Sequence, residues 1–230
     1  MECLSNNNFD YFKGVLYLAN YIDITSYILK GGILTLEVYV ATIIFSIPLG
    51  ILGALIKVSS LKILSKAVDI YTWLFRGTPL LLQLFFTYFG LPIIGIRLSP
   101  FAAAALTFSL NYGAYFTEIF RSGIQSIDKG QYEAAKVLGM SYRQTMSKII
   151  LPQAFKRIIP PMCNEGITLI KDTALLAAIG LQDILRAARE IVTRDFTISP
   201  FIIAAIIYLI FTSVVVMAFK KLEKKYSVYE

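Results

Sequence analysis

Five stretches of this chain, about residues 27 to 56, 67 to 94, 100 to 120, 161 to 185 and 199 to 219, are long and apolar enough to be read as membrane crossings. A helix that spans the hydrocarbon core needs roughly 20 mostly apolar residues, and in lipid only a helix or a closed barrel satisfies its own backbone polar groups. Composition points the same way: 57% of the 230 residues are hydrophobic and 16% are charged, which is too apolar for an ordinary soluble domain. We therefore expect an all-α integral membrane protein with about five transmembrane helices in one domain, residues 27–230, preceded by an outer segment, residues 1–26. The opening residues MECLSNNNFDYFKG lack the basic region and apolar run of a cleaved signal, so the first helix is expected to insert the chain itself.

The net charge of +7 is a statement about topology. Placing the N-terminus outside puts fourteen Lys and Arg residues in the inner segments and six in the outer ones, with Arg76 and Lys171 inside predicted spans. That bias follows the positive-inside rule and orients the chain N-out and C-in. It gives no reason to expect a nucleic-acid partner. Cys3 and Cys163 are too far apart in kind and place to suggest a disulfide framework or a cysteine metal site. Histidine is absent altogether, which argues against zinc and against imidazole acid–base chemistry, so no metal and no cofactor is expected in this chain.

Punctuation within the spans carries more detail. Pro48, Gly50 and Gly53 predict a kink and close helix packing in the first. Gly77 and Pro79 can break the second, and broken backbone at membrane depth is tolerated only against protein or a water-filled cavity. From Arg121 to Pro161 seven cations are scattered and the longest apolar run is 149 to 151, so this stretch is an inner excursion. Pro160 and Pro161 are expected to begin the fourth crossing, and LRAAREIVTRDFTISP is expected to be a short charged outer loop. Lysines after FIIAAIIYLIFTSVVVMAF anchor the inner end of the fifth.

Within the excursion, about residues 125–157, DKGQYEAAKVL reads as a short helix, Gly139 fits its left-handed C-terminal position, and SYRQTMSKII reads as a second helix. Tyr142, Met146 and Ile149 recur at i, i+4, i+7 and give that second piece one apolar stripe. Periodicity leaves open a hairpin that only lies on the lipid. The spacing goes further: Glu133, Ala134, Ala135, three residues, Gly139, nine residues, Ile149, one residue, Leu151, Pro152 matches the EAA loop of bacterial ABC importer permeases. The chain resembles in particular the permeases for polar amino acids (histidine, glutamate, glutamine, arginine, opines), through RGTPLLLQLFFTYFGLP at 76 to 92, EIFRSGIQSIDKGQYEAAKVLGMS at 118 to 141, ILPQAFKRIIPP at 150 to 161 and KDTALL at 171 to 176. One departure stands out: Ala174 occupies the place where that family usually has serine.

This resemblance implies a type I importer permease fold in the bacterial plasma membrane, with the EAA segment as a cytoplasmic coupling helix pair. Glu133, Ala134, Ala135 and Gly139 would then meet an ATPase subunit. It also implies two copies of that ATPase, which would hold ATP and magnesium, a second permease subunit taken as identical, and an outer substrate-binding protein that delivers the amino acid. The chain itself contains no GxxxxGK[ST], so it has no P-loop and is not expected to be an enzyme.

Polar residues at membrane depth are the candidate pathway, because they are costly against lipid. Thr107, Asn111, Tyr115, Glu118 and Ser122 share a helical face in the third span, as do Asn164, Thr168 and Lys171, with Asp172 beside them, in the fourth. Arg76, Gln83 and Thr87 line up in the second. Such stripes can simply hold helices together, with Arg76 or Lys171 neutralised by Glu118 or Asp172. Three of them together point to a hydrated cavity, whose donors and acceptors favour a basic amino acid as cargo. Glu165 and Asp128 read as inner-surface residues with no special claim. The competing function is an ion-coupled secondary amino-acid transporter with Glu118, Asp172 and Lys171 as relay; the lack of an inverted repeat and the long inner loop weigh against it.

Overall fold

A computed structural model describes residues 3–226, with side chains from Asn20 onward; residues 1–2 and 227–230, the outermost parts of the two expected segments, lie outside the described residues. Helix α1 (Cys3–Val58) runs unbroken through Pro48, so the chain has no structural boundary at residue 26. Helix α2 (Lys62–Gly77) ends where Thr78 turns extended ahead of Pro79, as the crowding of a residue preceding proline requires. Helix α3 (Leu80–Phe85) continues through a π turn (Phe86–Gly90) and a 3-10 turn (Leu91–Ile94), and it departs from α2 at 104°. The second crossing is thus a broken one, and the stripe expected to run straight from Arg76 to Thr87 is divided between two helices.

Helix α4 (Pro100–Gln125) starts at Ser99, whose side chain accepts from the Ala102 N–H at 3.2 Å. Helix α5 (Lys129–Val137) and helix α6 (Tyr142–Thr145) form the inner hairpin, and a π turn (Met146–Ile150) joins α6 to α7 (Leu151–Asp172). After a 3-10 turn (Thr173–Ile179) and left-handed Gly180 come α8 (Ile184–Asp195) and α9 (Ser199–Tyr226).

Three expectations need correction. Pro160 and Pro161 do not open a helix but lie inside α7, which starts at Leu151 with Pro152 in its first turn. The carbonyls their missing N–H groups would have met belong to Lys156 and Arg157, at the charged end of the helix where water can serve them. The apolar stripe of the second inner helix shifts by a residue: Thr145, Met146 and Ile150 are buried while Tyr142 is 68% exposed, because the π turn adds a residue and rotates everything after it. The outer segment is a helix and not a loop. Asp183 caps α8 by accepting from the Leu185 and Arg186 N–H groups, and Ile184, Ala187, Ala188 and Ile191, at i, i+3, i+4, i+7, bury one face of it with Ile24, Ile28 and Ile207.

Helix α4 occupies the centre, flanked by α1, α2, α3 and α7. The expected close packing of the first span is onto this helix: a Cβ at Gly50 would sit 2.5 Å from that of Phe116, and one at Gly53 would sit 2.4 Å from the Thr117 hydroxyl. Enclosure also explains why only residues Asn20–Val58 and Ser199–Tyr226, or these and the bent pair, are individually apolar enough to cross a membrane. At ~39 Å, α4 is long enough, but its walls are other helices, so polar residues such as Asn111 and Thr117 are buried there against protein.

The orientation has a direct test. In a Cys3→Ser background, Thr193→Cys on α8 should react with a membrane-impermeant thiol reagent on intact cells, and Ser147→Cys, exposed beside the inner hairpin, should react only after the cells are opened. Native Cys163 is buried. Labelling of Ser147→Cys in intact cells would reverse the topology.

Candidate functional site

At the inner end, Asp128 caps α5 by accepting from the Gly130 N–H at 2.7 Å. The helix closes with two reverse bonds, from Met140 N–H to Ala135 C=O and from Gly139 N–H to Lys136 C=O, each 3.0 Å. Together they require a left-handed residue at 139, where Gly139 has φ +74°. Ser141 and Gln144 then cap α6 reciprocally. The two motif alanines part company, since successive helical residues point 100° apart: Ala135 is buried, whereas Glu133 and Ala134 are exposed with Val137 and Leu138, which are 86% and 78% exposed. An apolar knob flanked by a carboxylate therefore projects from the protein. Arg157 donates to the Ser126 C=O and Gln153 to the Gln131 side chain, so the hairpin is tied to α7.

The membrane-depth residues divide into three groups. At the break between α2 and α3, Pro79 cannot supply the N–H that would have satisfied the Phe75 C=O. Asn111 and Gln83 both donate to that oxygen at 2.9 Å, and Asn111 also donates to Gln83 at 3.0 Å. Gln83 further donates to the Thr78 hydroxyl at 2.7 Å, and Thr87 bonds back to the Gln83 C=O at 2.9 Å. Thr107 bonds within its own helix, to Ala103 C=O at 2.7 Å. These amides hold a broken backbone together.

Glu118 belongs to a second group, at the inner end. It pairs with Lys57 and, at 2.7 Å, with Arg121; Lys57 also reaches Asp69 at 2.7 Å and the Thr72 hydroxyl at 3.1 Å. The Lys57 side chain is only 7% exposed, so this lysine is a buried link between α1, α2 and α4 and not a loop charge. Neither Arg76 nor Lys171 is the cation that neutralises Glu118.

The third group faces a space between α2, α4 and α7. Arg76 lies over the ring of Tyr115 at 5.4 Å, and Tyr112 donates its hydroxyl to Asp172 at 2.8 Å. Glu165, two turns before Asp172 on α7, lies within electrostatic reach of both Asp172 and Arg76. Two carboxylates thus share one guanidinium, and Glu165 has a claim its sequence context did not suggest. Its spacing of seven from Asp172 was the available signal, since that separation returns to the same helical face; Tyr112 and Lys57 had none. Asn164, Thr168 and Lys171 lie on an exposed face of α7, with Thr168 bonded to the Asn164 C=O at 3.1 Å. Of the KDTALL segment, Thr173 is buried and donates to the Ile170 C=O at 2.6 Å, closing the end of α7.

Membrane helices that wrap a polar space, with an exposed helix pair at one end and no P-loop in the sequence, are the parts of a transport channel driven from outside its own chain. The chain belongs to the family of binding-protein-dependent transport system inner membrane components, whose sequence profile matches residues 46–228. It is 43% identical to the arginine transport system permease protein ArtQ of Bacillus subtilis (strain 168) over 201 residues, covering 86% of this chain and 92% of that one. It is 40% identical to the putative glutamine transport system permease protein GlnP of Rickettsia bellii (strain RML369-C), covering 91% and 97%. Among solved structures, the crystal structure of an amino acid ABC transporter with histidines matches with a TM-score of 0.83 at 34% identity, covering 91% and 97%. The chain is accordingly a multi-pass protein of the bacterial cytoplasmic membrane and an ABC permease subunit, not a nucleotide-hydrolysing one.

Proposed function

We propose that this chain forms the translocation pathway of an ATP-driven amino-acid importer and that its cargo is a basic amino acid. The observation that carries the cargo choice is the pair Glu165 and Asp172 beside a single guanidinium, Arg76. Arg76 would meet the α-carboxylate of the cargo, one carboxylate its α-ammonium, and the other a cationic side chain, because charge left unpaired in a low-dielectric space is costly. Glu118, already held by two cations, is the weaker candidate of the acidic set. Relatives named for arginine and for glutamine transport support an amino acid as substrate class.

The remaining assembly follows from the exposed surfaces. Asn164, Thr168, Lys171 and Arg76 are exposed on the single subunit at membrane depth, which is untenable against lipid; a second permease, most simply an identical one, would cover them and close the pathway. Val137, Leu138, Ala134 and Glu133 would seat in an ATPase subunit, one for each permease, with ATP and magnesium held on those partners. A binding protein would deliver cargo to the α8 side, where the Tyr27 hydroxyl and the Arg186 guanidinium hold Glu190 below the usual carboxylate range. The test is uptake in vesicles with the co-purifying ATPase and the cognate binding protein: uptake should require internal ATP, and uptake driven by an ion gradient alone would favour a secondary transporter.

Gly139→Val tests the coupling surface. A β-branched residue at φ +74° is strained by roughly 1–3 kcal/mol, and the second inner helix would leave at a different angle. The variant should insert at normal levels yet lose most cargo-stimulated ATP hydrolysis; wild-type stimulation would remove the hairpin from the coupling path.

A further inference from the structure

Helices α7 and α9 pass from charged to apolar sequence at the same level. Lys156 and Arg157 are the last cations of α7 before Ile158 and Ile159, and Lys220 is the first charged residue after the apolar run of α9. Between them, at this crossing line, lies a cavity of about 340 Å³. Its polar side carries Lys156, Lys220 and Lys224 against one carboxylate, Glu223, and its other side is Ile159 and Pro160. Tyr226 closes it, its ring set edge-on to Phe155 at 5.1 Å, with the Lys225 ammonium 5.7 Å from the same ring.

We propose that this cavity binds the headgroup of one anionic phospholipid of the inner leaflet. A phosphate would sit among the ammonium groups, and the glycerol and upper acyl chains would lie on Ile159, Pro160 and the aromatic pair. Lysines that only snorkel to the interface need no cavity between helices, and a free phosphate ion would make no use of the apolar wall. Lysine clusters at the cytoplasmic end of membrane helices gain about 1 kcal/mol per residue near an anionic surface. The site rests on the placement of α7 and α9 in the membrane and is independent of the cargo.

Native mass spectrometry of the detergent-purified full chain, with its co-purifying subunits, tests this after delipidation and titration with palmitoyl-oleoyl phosphatidylglycerol, the matching phosphatidylcholine, or inorganic phosphate. Phosphatidylglycerol should bind saturably, one tightly held lipid per chain; the phosphatidylcholine should not, and millimolar phosphate should not displace the lipid. Lys220→Gln with Lys224→Gln should weaken it about twenty-fold, in a preparation that stays monodisperse. Lys62→Gln with Lys66→Gln, an equal charge change at the α1–α2 turn, should leave it unchanged. Equal binding of both lipids, displacement by phosphate, or equal loss in both double variants would overturn the proposal.

Discussion

Glu118→Leu should destabilise the folded chain by about 3 kcal/mol, because it leaves the Lys57 ammonium, 7% exposed, without its buried partner. Removing one member of a buried ion pair is costly because the remaining charge stays desolvated. Asp69 still reaches Lys57 at 2.7 Å, but it is 58% exposed and can compensate only in part. The thermal unfolding midpoint in detergent should fall by around 10 °C on the usual scaling of stability with size. Lys57→Met combined with Glu118→Leu should recover most of the loss, since replacing both members by apolar groups of similar volume is often neutral. An unchanged midpoint in the single variant, or no recovery in the double one, would mean that Lys57 finds water in the folded protein and that the link between α1, α2 and α4 is held by packing alone.

Asp172→Asn and Glu165→Gln should each lower vesicle uptake of arginine by ten- to a hundredfold, and that of glutamine by much less. Each substitution keeps the shape and removes one charge, so it strips about 1.5–3 kcal/mol of charge-assisted hydrogen bonding from a cationic cargo. Tyr112→Phe removes the hydroxyl that donates to Asp172 at 2.8 Å and should have a smaller effect of the same sign, because it frees the carboxylate to turn away. Assembly with the ATPase and the unfolding midpoint should not move in any of the three, which separates a pathway role from a packing one. Equal losses for arginine and glutamine would assign both carboxylates to helix packing, and a wild-type preference for glutamate would overturn the choice of cargo.

What could be read from the sequence alone are the features that depend on neighbours along the chain. Apolar length marked the membrane crossings, the charge bias oriented them, Gly77 and Pro79 marked the break after α2, and the position of Gly139 behind a short helix marked a left-handed cap. The period of Ile184, Ala187, Ala188 and Ile191 was equally local, and α8 was there to be read behind its charges. Each of these is a backbone or burial preference expressed within a turn or two. The tertiary structure decided the pairings. Lys57 and Glu118 are 61 residues apart, and Tyr112 and Asp172 are 60 apart, so nothing within reach of either residue along the chain announces its partner. A polar stripe on a membrane helix shows that lipid cannot cover it, without showing whether a carbonyl, a counter-charge or water will. Asn111 met the orphaned carbonyl of Phe75, Glu118 met two cations, and Asp172 met a tyrosine, leaving Glu165 beside it and Arg76 within electrostatic reach of Glu165. Identical demands for a polar partner were thus answered in different ways, because which groups face one another is set by how the helices cross and not by any helix alone.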